Sequence, residues 1–114
     1  MTLSKQQRKF SRLVARLLDQ VYAQGFECTL GEAWRTPEQA ALNEAKGRGI
    51  STSLHMDRLA IDLNLFKDGV FLQTTEDHKP IGEWWEKLDT ECRWGGRFKR
   101  PDGNHYSLAW GGRA

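Results

Sequence analysis

His55 and Asp62 stand seven residues apart in the stretch STSLHMDRLAIDLNLF (51–66), and PDGNH (101–105) puts Asp102 three residues before His105. Two neutral imidazoles and one carboxylate oxygen bind zinc at about 2.0–2.2 Å and leave a fourth position for water. Zinc lowers the pKa of such a water toward about 7, and a neighbouring carboxylate can then take its proton. Asp102 is the candidate for that base. The donor set also suits iron or manganese, so the residue types point to a divalent cation before they point to zinc. Spacing alone leaves a plainer alternative open: a surface histidine beside a strand-edge aspartate.

The elements that must carry these residues sharpen the choice. Residues 59–66 read as a strand in which Leu59, Ile61, Leu63 and Leu65 share one face and Ala60, Asp62 and Asn64 the other. The first face is core; the second is small and polar, as the floor of a cleft would be. His55 lies just before this strand, and His105 opens the alternating HYSLAW (105–110), a final strand. KDG (67–69) supplies a hairpin turn into VFLQ. FECTL (26–30) alternates as a short strand and leads to GEAWRTPEQ, where Thr36 caps a helix, Pro37 takes its first position and Gln39 completes a capping box. Gly47 closes that helix, and GRGISTS (47–53) reads as loop. Arg35 thus sits at the end of a strand, one residue before a helix cap, where a guanidinium can point into a cleft.

Two more helices complete the pattern. Ser4 and Gln7 suggest a capping box ahead of the stripe Phe10, Leu13, Val14, Leu17, Leu18 and Val21, with Gly25 as its stop. Thr74 or Thr75 opens another helix with Trp84, Trp85 and Leu88 on one side, broken by WGGRF. The predicted class is α+β: a small antiparallel sheet flanked by about three helices.

At 114 residues the chain fits one domain. No apolar run is long enough to span a membrane, and charge interrupts the N-terminal stretch, so a cytoplasmic site of synthesis is expected. Cys28 and Cys92 have no metal-ligand spacing and are expected to be unpaired, buried small residues. The net charge of +2 hides an uneven distribution: Lys5, Arg8, Lys9, Arg12 and Arg16 precede the first acid and fall opposite the apolar stripe. That face is either solvated or attracted to an anionic lipid or wall polymer. Nothing interleaves aromatic with basic residues in the way a nucleic-acid binder would. His78 in EDHKP is expected at the surface, Asp57 and Arg58 as a surface ion pair, and the tryptophans mainly as core.

Ser53, His55, Ala60 and Asp62 together have the form S-x-H-x4-A-x-D, and Asp102 with His105 gives D-x-x-H. Both resemble the signatures of the M15 family of zinc peptidases, the D-Ala-D-Ala carboxypeptidase and L-alanyl-D-glutamate endopeptidase group that cuts peptidoglycan stem peptides. WRTPEQ is similar to the family's Y-R-T-x-x-Q segment, and WGGRF resembles its phage-endolysin branch. The resemblance runs from about residue 26 to the end of the sequence. It implies the D-Ala-D-Ala carboxypeptidase-like (Hedgehog/DD-peptidase) fold, one zinc ion on His55, Asp62 and His105, and Asp102 as general base. It also implies that Arg35 polarises the substrate carbonyl or grips a stem-peptide carboxylate, with Ser53 and Trp34 beside the substrate.

Two positions depart from the family pattern. Trp34 stands where a tyrosine is usual, and the acid before the last histidine is Asp102 rather than the glutamate of many carboxypeptidases. The second departure resembles the L-Ala-D-Glu endopeptidase branch. By the same resemblance, residues 1–114 form a single catalytic peptidase domain without a separate wall-binding domain, acting as a monomer. It would be a phage or prophage endolysin that reaches the periplasm once a holin opens the membrane, and it suits the thin wall of a Gram-negative host. Two other readings stay in view: a D-Ala-D-Ala carboxypeptidase, and a non-catalytic module that holds zinc structurally and grips anionic polymer. The latter needs a fourth protein ligand, and no cysteine stands in the motifs to supply one.

Overall fold

One eight-residue strand organises the molecule. In the computed structural model, which describes residues 1–47 and 53–114, this strand is β2 (Ala60–Lys67). The loop reading of residues 48–52 lies outside the described residues. β1 (Glu27–Leu30) runs antiparallel along one edge of β2, from Glu27 opposite Phe66 to Leu30 opposite Leu63. The other edge is shared. β5 (His105–Leu108) pairs with its first residues and β3 (Val70–Leu72) with its last, while β4 (Cys92–Trp94) extends the sheet beyond β5. All pairings are antiparallel, and the predicted α+β class is the observed one. The β2–β3 hairpin turns at Asp68 and Gly69, both in the left-handed region that such a two-residue turn requires.

α1 (Leu3–Ala23), α2 (Pro37–Ala45) and α3 (Thr75–Leu88) flank the sheet. Phe10, Leu13, Leu17 and Val21 of α1 are buried at helical spacing, and Phe10 meets Trp85 of α3 edge-on, 6.1 Å between centroids. Leu17, Leu63, Leu65, Ile81 and Trp85 are wholly enclosed. Truncating any of these aliphatic side chains to alanine should cost about 2–5 kcal/mol, because both transfer energy and packing are lost.

Several local expectations need correction. The cap of α1 is Thr2, whose hydroxyl accepts from Lys5 N at 3.2 Å; Ser4 lies within the first turn. Gln7 cannot complete a box there, since its amide donates to Asp57 O at 2.7 Å. Thr36 does cap α2 by accepting from Gln39 N, but the Gln39 side chain turns to Asn43 Oδ1 at 2.7 Å. β4 was not foreseen: three residues show too little alternation to be read against a preceding helix. Asp57 pairs with Arg113 instead of Arg58, whose guanidinium lies 4.6 Å above the Trp34 ring.

His78 is the largest departure. It is 3% exposed, and its Nδ1 lies 2.8 Å from the Tyr106 hydroxyl. Thr74 and Asp77 form a reciprocal capping box that fixes the phase of α3, so His78, Ile81, Gly82 and Trp85 all face inward. Both cysteines are free, Cys92 buried and Cys28 half-buried. Trp85 and Trp94 are core, Trp84 and Trp110 pack partly buried against it, and Trp34 is exposed. Among the described residues no helix is long and apolar enough to cross a membrane.

Candidate metal centre

The register of the sheet assembles the site. Asp62 of β2 lies directly opposite His105 of β5, so strand pairing alone sets two of the three candidate ligands side by side. His55 comes from a single 3₁₀ turn, Leu54–Asp57, that precedes β2. The Ser53 hydroxyl starts this turn by accepting from His55 N at 3.2 Å, and the His55 carbonyl accepts from Arg35 N at 3.1 Å. Ser53 therefore supports His55 through the backbone.

His55 Nε2 lies 3.2 Å from Asp62 Oδ1, and His105 Nδ1 lies 3.8 Å from the same oxygen. The two imidazoles meet edge to face at 5.1 Å. One ligand atom from each of the three residues falls within 4.8 Å of the others. Asp62 Oδ1 is buried and accepts no hydrogen bond from the described residues, a state that costs about 1–3 kcal/mol or more when nothing compensates it. A divalent cation is the partner this arrangement fits. Two imidazole nitrogens and one carboxylate oxygen are borderline donors suited to zinc, and their mutual separations, all within 4.8 Å, let them share one ion. Burial, helped by the nearby His55, pushes His105 down to about 4 against the pull of Asp62. Its imidazole is thus neutral at pH 7, with a lone pair to give.

Asp102 sits on the rim. The His105 backbone N–H donates to the Asp102 carbonyl at 3.1 Å, and Asp102 N donates to Gly95 O at 2.9 Å. A Cβ on Gly95 would come within 2.1 Å of the Asp102 carbonyl and 2.8 Å of His105 Cβ, so only glycine permits this approach. Trp94 pins the loop further by donating its indole N–H to Gly103 O at 2.7 Å, its ring lying where a side chain on Gly82 would be. Desolvation, then the charge of Asp62, raises the Asp102 pKa, while His55 and Arg35 oppose the rise. A carboxylate made more basic in this way is a better proton acceptor. A cleft of about 290 Å³ opens beside Asp102, lined also by Phe71, Thr75 and His78.

Arg35 is only 14% exposed, and its guanidinium donates to Glu32 Oε1 through Nε at 2.8 Å and through a terminal nitrogen. The same oxygen lies 3.5 Å from His55 Nδ1. Sequence reasoning passed over Glu32. A sign was available, since it is an acid three residues before Arg35, just past the end of the strand that pairs with β2. Trp34 is 45% exposed and engaged by Arg58.

The family described as D-alanyl-D-alanine carboxypeptidase matches residues 46–108. No curated protein matches by sequence. Among solved structures, the chain is similar to the L-Ala D-Glu endopeptidase ChiX of Serratia marcescens. The TM-score is 0.71 at 20% identity, covering 93% of this chain and 85% of that one. It is also similar to a mutant of the vancomycin resistance D,D-pentapeptidase VanY, from a VanB-type cassette, in complex with Zn(II). There the TM-score is 0.58 at 19% identity, covering 88% of this chain and 70% of the other. The matched segment contains His55, Asp62, Asp102 and His105, and the folds agree over nearly the whole chain. The chain belongs to the M15 family of zinc peptidases.

Proposed function

We propose that this protein is a zinc-dependent peptidoglycan endopeptidase that cuts the L-Ala–D-Glu bond of the stem peptide. In this reading His55, Asp62 and His105 hold the zinc ion. The observation that carries it is the convergence of these three side chains around a buried carboxylate oxygen that accepts no hydrogen bond from the described residues. Bound there, zinc supplies Lewis acidity, polarising a carbonyl and lowering the pKa of a water toward about 7.

The remaining steps fall to this chain's own groups. Asp102 takes a proton from the attacking water and returns it to the leaving amine, a role its raised pKa favours. Arg35, held by Glu32, contributes a fixed positive charge where the carbonyl oxygen becomes negative, or grips a carboxylate of the stem peptide. Trp34, exposed beside Arg35, offers an aromatic face to the same peptide. Ser53 acts through His55. An aspartate at position 102 supports the endopeptidase choice over the carboxypeptidase one, and the fold agrees more closely with ChiX, at a TM-score of 0.71, than with VanY, at 0.58.

The biological setting belongs to the same proposal. The protein acts as a phage or prophage endolysin, one catalytic domain working as a monomer, released to the periplasm when a holin opens the membrane. Lys5, Arg8, Arg12 and Arg16 lie exposed along α1 and would draw it to anionic lipid or wall polymer. Lys9 contributes less, because it is paired with Asp89 and Glu91 at 3.1 and 2.9 Å.

Mass spectrometry of muropeptides digested by the purified protein tests the reaction. Products ending at L-Ala, lost on chelation and regained with zinc, are expected. Release of terminal D-Ala alone would replace the endopeptidase with the carboxypeptidase reading.

A further inference from the structure

Glu32 is the charged group at the centre for which no motif accounts. Its backbone is locked to the ligand strand: Asp62 N donates to Glu32 O at 2.9 Å, and Gly31 N donates to Asp62 O at 2.8 Å. Its side chain presents a single oxygen, Oε1, to two partners that matter. Arg35 donates to it through two guanidinium nitrogens, and His55 Nδ1 lies 3.5 Å away. That ring nitrogen is buried and has no hydrogen-bond partner among the described residues.

We infer that Glu32 is a positioning residue that sets His55 and Arg35 in one geometry through a shared carboxylate oxygen. A neutral imidazole carries one N–H, and the acceptor beside one ring nitrogen decides which tautomer prevails. A carboxylate beside Nδ1 favours the proton there. Nε2, the nitrogen 3.2 Å from Asp62 Oδ1, then keeps its lone pair for a cation. The same carboxylate fixes a guanidinium that has four rotatable bonds and would otherwise sample many directions. At 3.5 Å the His55 contact is longer than a formed hydrogen bond, so it acts through charge and orientation. An ordinary exposed pair three residues apart would be worth little. This one is different, since Arg35 is 14% and His55 3% exposed, so screening is reduced even though Glu32 itself is 32% exposed.

The inference rests on the reading of His55 as a zinc ligand, and its test separates the two. Glu32→Ala removes the acceptor; Glu32→Gln keeps its shape and an acceptor oxygen but not its charge. Zinc affinity is measured by competition with a chromophoric chelator, and the ligand field by the visible spectrum of the cobalt(II)-substituted protein. Glu32→Ala should weaken zinc binding by about 10–100-fold and alter the cobalt spectrum, with Glu32→Gln recovering part of both. At saturating zinc, Glu32→Ala should also lower kcat by about tenfold in the native background and by clearly less in Arg35→Ala, where only its hold on His55 is left to lose. A folded Glu32→Ala protein with unchanged zinc affinity and cobalt spectrum would overturn the inference. If the native protein binds zinc but cleaves no stem peptide, the peptidase proposal fails, while the affinity and spectrum still decide the role of Glu32.

Discussion

Burial lowers two histidines of this protein to about 4, yet their surroundings differ. His78 points from α3 into the core, where the Tyr106 hydroxyl satisfies its Nδ1 at 2.8 Å. His105, one residue from that tyrosine on β5, looks toward Asp62 and His55 instead, and its neighbours include a carboxylate oxygen that accepts nothing from the described residues. Desolvation alone therefore marks a buried ring, not a site. What separates the two is whether polar atoms from several segments meet without satisfying one another.

The widest test of this contrast is to remove ligands from one cluster and partners from the other. Asp62→Ala or His55→Ala should take bound zinc from one ion per chain toward none and reduce turnover to background, as read by elemental analysis and muropeptide release. His78→Gln should leave the zinc content unchanged. Next in size, Asp102→Asn should slow kcat by about 10²–10⁴-fold while zinc stays bound, because only the proton acceptor is lost. Full activity in that variant would remove Asp102 from the mechanism.

The pH dependence of stability sharpens the other side. The folded-state pKa of His78, about 4, lies below its ordinary 6.5. As pH falls through that interval the unfolded chain takes up the proton and the folded one does not, so His78 subtracts stability from pH 6.5 down to about 4. Urea midpoints should therefore fall more steeply over this range in the native protein than in His78→Gln; parallel curves would show that His78 is not held neutral. The smallest effect concerns α1. Replacing Lys5, Arg12 and Arg16 by glutamine should weaken binding to anionic vesicles and flatten its salt dependence, with little change in cleavage of soluble muropeptides.

Much of the centre was legible in the sequence because strand geometry is regular. The period of two along residues 59–66 separates Asp62 from the core leucines. The grouping of His55 and Asp62 with His105 came from the resemblance to the M15 signatures, and the β2–β5 pairing that joins Asp62 to His105 only from the structure. Other features escaped for identifiable reasons. His78 reads as polar loop in EDHKP, yet its spacing to Ile81, Gly82 and Trp85 is that of a buried helical stripe. Glu32 acts through contacts with residues 3 and 23 positions away, and no local pattern announces the longer one. Gly82 carries no signal, and Gly95 shows in WGGRF only as a helix breaker and part of a resemblance, not as a packing position. Their value lies in the space left for Trp94 and for the Asp102 backbone, which only packing reveals.

The most direct measurement is anomalous diffraction at the zinc edge from crystals of the zinc-loaded protein. One peak is expected, about 2.0–2.2 Å from His55 Nε2, Asp62 Oδ1 and His105 Nδ1, with its remaining coordination open to solvent. A peak elsewhere, or a sphere closed by a fourth protein side chain, would contradict it.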